Sequence, residues 1–130
     1  MIRIAVCDDE KHFHKTMKDA ITNYLEQKSI DYHIDLFDSG SELLGLGGLI
    51  VQYAVIFLDI NMLEIDGMET AIKIRCISKE ICIVFVTAYI KYSLEGYKVN
   101  AIRYLLKDNR NFQRSVDECM DAVLAELNYE

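Results

Sequence analysis

Five side chains suited to handling phosphate stand along this 130-residue sequence, each at the end of an apolar run. Asp8 and Asp9 follow Ile2-Arg-Ile-Ala-Val-Cys7, and Asp59 follows Tyr53-Ala-Val-Ile-Phe-Leu58. Thr87 closes Ile81-Cys-Ile-Val-Phe-Val86, and Lys107 stands just past Ala101 to Leu106. Carboxylates brought close together repel, and each raises its neighbour's pKa, so such a cluster calls for a cation. A few carboxylates, a backbone carbonyl and water form the ligand set of Mg²⁺, which keeps several waters and accepts phosphate oxygens. An ammonium and a hydroxyl complete surroundings fit for a tetrahedral dianion beside that metal. With no Ser-His-Asp arrangement and no His base at these positions, the best nucleophile is a carboxylate, and Asp59 follows the fully buried run. Any one of these residues alone would be ordinary, as an N-cap, an ST-turn or a solvated charge. It is their meeting at one place that asks for a function.

Whether they meet depends on the elements that carry them. The apolar runs are five or six residues long and alternate with segments of helical period. Phe13, Met17, Ala20, Ile21, Tyr24 and Leu25 recur at spacings of three and four, one buried face of a helix. Tyr32 to Phe37 alternates with period two, as a strand with one wetter face at a sheet edge does. Ser39-x-x-Glu42 has the form of a capping box, opening a short helix that Gly45, Gly47 and Gly48 end. Asp66-Gly-Met-Glu69 starts a helix through about Ile77, residues 89–97 form a short one, and Phe112, Val116, Cys119, Met120, Val123 and Leu127 share one side of a last helix. Strands alternating with helices predict an α/β, doubly wound (βα)₅ three-layer sandwich around a parallel five-stranded sheet of flavodoxin-like order 2-1-3-4-5. In such a sheet ligands bind outside the carboxyl ends of the strands, where all five residues fall.

Composition narrows the function further. Apolar residues make up 52% and charged residues 27%, enough for a core and too apolar for disorder. The net charge of −7, from 21 acidic against 14 basic residues, disfavours binding of nucleic acid or anionic lipid by this chain itself. No apolar run approaches the roughly 20 residues of a membrane helix, and the start resembles no signal peptide. A cytoplasmic protein without membrane contact is expected. Cys7, Cys76, Cys82 and Cys119 form no C-x-x-C and do not cluster with His12, His14 or His33, so reduced thiols are expected rather than metal ligands.

Four stretches carry a family resemblance: Ile4-Ala-Val-Cys-Asp-Asp-Glu10, Leu58-Asp-Ile-Asn-Met-Leu-Glu-Ile-Asp-Gly67, Val84-Phe-Val-Thr-Ala88 and Tyr104-Leu-Leu-Lys107. In this order and spacing the chain resembles the CheY-like receiver domain of two-component response regulators over essentially its whole length. The resemblance implies that Asp59 accepts a phosphoryl group from the phosphohistidine of a sensor histidine kinase. It implies that Asp9 binds Mg²⁺ directly, Asp8 largely through water, and that Asp59 and the backbone carbonyl of Asn61 complete the protein ligands. Thr87, Ala88 and Lys107 would line the phosphoryl oxygens, the small Ala88 leaving access. Thr87 and Tyr104 would be the switch pair, the aromatic turning inward behind the threonine. Asn61 and Tyr89 would govern the approach of water to the acyl phosphate. The domain is expected over residues 1–127, with 128–130 a tail that either ends a stand-alone receiver or opens toward an absent effector domain.

Asn100-Ala-Ile-Arg-Tyr-Leu-Leu-Lys107 is most similar to receivers attached to LytTR-type DNA-binding domains, which implies transcription as the output and DNA contact only through an effector outside this chain. Residues 89–127, with Tyr89, Tyr92, Tyr97, Lys91, Lys98, Arg103, Arg110 and Arg114, form the face on which a homodimer or output docking is expected.

The sequence departs from the family pattern twice. Asp108 stands where a cis proline usually follows the site lysine. A cis bond before a non-proline residue costs about 2.5–4 kcal/mol, so a trans Lys107–Asp108 bond and a somewhat relocated lysine are expected. Leu63 replaces a common proline in the loop after Asp59, which is expected to loosen the loop without loss of chemistry. Three other readings compete. An aspartate-nucleophile phosphatase of the haloacid-dehalogenase type would need a second acid where Asn61 stands. A flavodoxin-type flavin binder would not place Asp8 and Asp9 beside a phosphate. A degenerate receiver would serve only as an interaction module. The favoured reading is a phosphoacceptor, not a turnover enzyme, that assists its own phosphorylation and dephosphorylation.

Overall fold

β-Branched and aromatic runs too short for a stable helix become the strands, and the amphipathic stretches between them become the layers on either side. The computed structural model describes residues 1–88 and 99–129. Strands β1 (Ile2–Cys7), β2 (Tyr32–Phe37), β3 (Val55–Asp59), β4 (Cys82–Thr87) and β5 (Arg103–Leu106) form one parallel sheet of order β2-β1-β3-β4-β5. Helices α1 (Lys11–Gln27), α2 (Gly40–Leu44), α3 (Gly67–Ile77) and α4 (Phe112–Glu126), with a 3₁₀-helix at Gly47–Gln52, cover it. This is the sandwich and the strand order that the alternation predicts.

Strand alternation divides the core in two. Ile4 and Val6 of β1, Val55 and Phe57 of β3 and Val84 and Val86 of β4 pack with α1 and α4. Ala5, Cys7, Ile56, Leu58, Ile83 and Phe85 face the other way, against Leu43 of α2, Ile50 of the 3₁₀-helix and Ala71 and Ile74 of α3. Every residue of β3 and β4 is buried, whereas the edge strand β2 is mostly half-exposed. Each such Ile, Val or Phe contributes roughly 1.5–3 kcal/mol by leaving water. The predicted face of α1 is buried, with His14 added. Helix α4 buries Val116, Cys119, Met120 and Val123 of its predicted face, while Phe112 and Leu127, the latter just past the helix, are half-buried.

Several boundaries differ from the sequence reading. β3 begins at Val55 rather than Tyr53, because Tyr53 ends the 3₁₀-helix and donates its hydroxyl to Asp35 (2.6 Å). β5 begins at Arg103 rather than Ala101, after Asn100 with a left-handed φ of 55°. At Ser39 the hydroxyl accepts from the Glu42 N–H (3.0 Å), but the Glu42 carboxylate reaches the Asp38 N–H (3.2 Å) rather than that of Ser39, half of the expected box. The glycines after α2 lead into the 3₁₀-helix, which periodicity did not indicate. The helix expected at 89–97, with Tyr89, Lys91, Tyr92 and Tyr97, and Lys98 beside it, lies outside the described residues. Among the described residues no helix is long and apolar enough to cross a membrane, and no peptide bond is cis, so Lys107–Asp108 is trans.

α3 is fastened at both ends. Its N-cap Asp66 accepts from the Glu69 N–H (2.8 Å), and the Gly67 N–H donates to Ile60 O (2.8 Å). Near its C-terminus the Arg75 guanidinium donates to four main-chain carbonyls: Val99 (2.7 Å), Ile81 (2.7 Å), Asn100 (3.3 Å) and Ser78 (3.4 Å). The start of β4 and the chain entering β5 are thereby tied to one side chain.

Candidate functional site

Parallel strands end on one edge, so the sheet itself gathers the side chains. Asp8 lies one residue past β1, Asp59 and Thr87 are the last residues of β3 and β4, and Lys107 lies one residue past β5. Asp8, Asp59 and Thr87 are 2%, 4% and 0% exposed. The Lys107 ammonium lies 2.8 Å from Asp8, 2.6 Å from Glu10 and 3.2 Å from Asp59. It also sits 4.6 Å from the centre of the Phe13 ring.

The carboxylates are oriented by local backbone donors. Asp8 accepts from the Glu10 N–H (2.9 Å) and Asp59 from the Asn61 N–H (3.2 Å). His14, buried on α1, places Nε2 against the carbonyl oxygens of Asp8 (2.5 Å) and Phe37 (3.1 Å). Both partners are acceptors, so that nitrogen carries the proton.

Electrostatics follow from this crowding. Burial, and then the charge of Asp8, push the Asp59 carboxyl up to about 6, against the pull of Lys107. Burial works against the Lys107 ammonium, but its bonds to Asp8 and Glu10 and the charge of Asp59 hold it above the ordinary lysine range. The Lys107 hydrogen bond holds the exposed Glu10 carboxyl below its usual value.

Asp8, Asp59, Thr87 and Lys107 come together at this edge, and Asp9, Asn61 and Ala88 lie around it. Asp9 is exposed, and its carboxylate accepts from the Leu63 N–H (3.3 Å), a donor that a proline at 63 would lack. Asp9, Glu10, Asp59, Asn61, Ala88 and Lys107 line a cleft of about 350 Å³ over the buried carboxylates. Tyr104 on β5 packs its ring 5.2 Å from that of Phe85. Tyr89 lies outside the described residues. Glu10 and Phe13 stand against Lys107 and His14 against the Asp8 carbonyl, contacts that sequence reasoning did not foresee. Glu10 stood in a quoted motif, but nothing in the spacing said that Lys107 would reach it. Oxygens of Asp8, Glu10 and Asp59 all lie within 4.8 Å of one another, a group with Glu10 where the sequence reading had the exposed Asp9. Hard carboxylate oxygens at that separation, on a partly open cleft, are a donor set that suits Mg²⁺.

Residues 4–116 match the family described as response regulator receiver domain. The chain belongs to that family. Two similar curated proteins are the sensory transduction proteins LytT of Oceanobacillus iheyensis, 34% identical over 110 residues, and LytR of Staphylococcus saprophyticus, 32% identical over 106. Each match covers 82% of this chain but only 42% and 40% of those proteins. The transcriptional regulatory protein LytR of Staphylococcus aureus is 34% identical over 59% of this chain and 30% of its own length. The receiver thus spans less than half the length of these relatives. Among solved structures, the response regulatory domain of mrkE from Klebsiella pneumoniae superposes with a TM-score of 0.80 at 23% identity, covering 98% of this chain and 99% of that one. The response regulator TrrA from Thermotoga maritima, solved in complex with Mg²⁺-BeF, gives 0.70 at 30% identity, covering 94% and 99%.

Proposed function

We propose that this receiver takes a phosphoryl group onto Asp59 from the phosphohistidine of a sensor histidine kinase, in a Mg²⁺-dependent reaction. The observation that carries this reading is the buried Asp59 carboxylate 3.2 Å from the Lys107 ammonium and directly beside Asp8. The Mg²⁺-BeF complex of TrrA, a relative at 30% identity, supports the metal and the phosphoryl-like ligand.

Asp8, Asp9, Asp59 and the Asn61 carbonyl would hold the ion, which when bound offsets carboxylate charge and neutralises phosphoryl oxygens. An Asp59 oxygen attacks phosphorus as the P–N bond to the kinase imidazole breaks, and that bond's electron pair returns to the ring nitrogen. Lys107 turns N–H donors from carboxylates to phosphoryl oxygens, Thr87 donates its hydroxyl to another, and Ala88 leaves the approach open. Asn61 offers no proton to a leaving group, so the domain acts as an acceptor rather than a turnover phosphatase. Thr87 and Tyr104 then pass the change to residues 89–127, where a homodimer or an attached effector responds. Transcription is the proposed output, with DNA held only by an effector outside this chain, in the cytoplasm.

Intact-mass spectrometry after incubation with Mg²⁺ and acetyl phosphate, or with a phosphorylated kinase, tests the chemistry. One phosphoryl adduct is expected on the wild type and none on Asp59→Asn. An adduct retained by Asp59→Asn, or none on the wild type with either donor, overturns the proposal.

A further inference from the structure

The Lys107 ammonium has three N–H donors, and Asp8, Glu10 and Asp59 lie at 2.8, 2.6 and 3.2 Å to take them. Each of these contacts is directional. An ammonium that turns a donor toward a phosphoryl oxygen must release a carboxylate, so these bonds alone cannot keep the lysine in place through the reaction. The Phe13 ring is different. Its face attracts the cation through the ring quadrupole and uses no donor, with the ammonium 4.6 Å from the ring centre.

We infer that Phe13 is a positioning residue for Lys107, an aromatic seat that holds the ammonium at the sheet edge while its donors change partner. The inference rests on the acceptor reading above and names a residue that reading does not use. Phe13 is 6% exposed, on the buried face of α1. Its ring is braced edge-to-face by Phe112, the first residue of α4, with centroids 5.5 Å apart and planes at 73°. The Lys107 side chain is only 11% exposed, so water screens the contact little. Lys28 over Tyr24 offers a contrast: that lysine is exposed and lies 5.5 Å from its ring. The seat also joins the site lysine to the start of α4 through two packed rings.

Two variants test this. Phe13→Leu keeps an apolar residue and removes the ring; pentafluorophenylalanine at position 13 keeps the shape and inverts the charge of the ring face. In the unphosphorylated wild type, ring current is expected to shift the Lys107 ε-methylene protons upfield in NMR spectra, and Phe13→Leu is expected to abolish that shift. With acetyl phosphate, both variants should lower the maximal uptake rate by on the order of fivefold while leaving Mg²⁺ affinity unchanged, and Phe13→Tyr should restore the rate. A Lys107 resonance that Phe13→Leu does not move, or uptake by the fluorinated protein at the wild-type rate, overturns the seat. A wild type that takes up no phosphoryl group overturns the acceptor reading itself, and this role with it.

Discussion

Gly67 lies against the main-chain carbonyl of Asp59, so close that a Cβ on Gly67 would collide with that oxygen. The first residue of α3 and the last of β3 are thus fitted together by the absence of a side chain, and the Gly67 N–H donation to Ile60 O (2.8 Å) fixes the same approach. Gly67→Ala must push α3 away from the strand end that carries Asp59. Overpacking of this kind costs about 1–3 kcal/mol. The urea midpoint should fall with unchanged slope, and phosphoryl uptake should fall with it. A midpoint equal to wild type would show that the helix yields freely.

Asp59→Asn is expected to raise stability in metal-free buffer at about pH 7. Burial and the neighbouring Asp8 make the ionised Asp59 unfavourable in the fold, and Lys107 keeps Asp8 and Glu10 as partners when Asp59 loses its charge. Mg²⁺, by binding the folded wild type, should raise its thermal midpoint more than that of the variant. A lower midpoint for Asp59→Asn in metal-free buffer would mean that the Lys107–Asp59 pair outweighs the repulsion.

The edge of the sheet carries a separate acid-sensitive contact. Burial pushes the Asp35 carboxyl up, but the Tyr53 hydroxyl (2.6 Å), His33 (2.8 Å) and Arg3 (3.9 Å) together hold it below the ordinary aspartate range. A depressed carboxyl contributes stability that is present above its unfolded pKa, about 3.9, and is lost as pH falls through the lower folded value. Tyr53→Phe removes the strongest of the lowering contacts. NMR titration should then find the Asp35 pKa raised, and acid unfolding should lose part of its steepness below about pH 4. An Asp35 titration unchanged in Tyr53→Phe would assign the shift to His33 and Arg3.

Thiol reactivity should separate one cysteine from three. Cys76 on α3 is exposed, whereas Cys7, Cys82 and Cys119 are buried. Burial, aided in Cys7 by surrounding carboxylates, pushes the Cys7 thiol up to about 12, and burial does the same for Cys119. An alkylating reagent should modify Cys76 quickly in the native protein and all four only after unfolding. Native modification of Cys7 at a comparable rate would show that the β1 end opens readily.

The strands and their order were legible because β3 and β4 are continuously apolar and β2 alternates, and because Asp8, Asp59, Thr87 and Lys107 each follow such a run. The stripes of α1 and α4 were legible for the same reason: burial leaves its period in the residues. What escaped leaves no such trace. Glu10 joins the site because the Asp8 carboxylate bends its own loop (2.9 Å) and Lys107 reaches across from β5, a distance in sequence that no local pattern encodes. The 3₁₀-helix at Gly47–Gln52 is too short for a period, and the boundaries of β3 and β5 shifted where Tyr53 and Asn100 serve turns instead. Phe13 read as a core residue, which it is; its second role depends on what lies over the ring.

Arg75 bonds to the main chain at four positions and to no carboxylate among the described residues. Carbonyl oxygens are supplied by every amino acid, so what the knot asks of positions 78, 81, 99 and 100 is the path of the main chain and not a particular side-chain donor or acceptor. The guanidinium itself is particular, because a lysine has no planar fork with which to span several acceptors at once. One guanidinium therefore adds a polar tether between α3 and the approach to the strand that bears Tyr104, beside the apolar cluster the two already share.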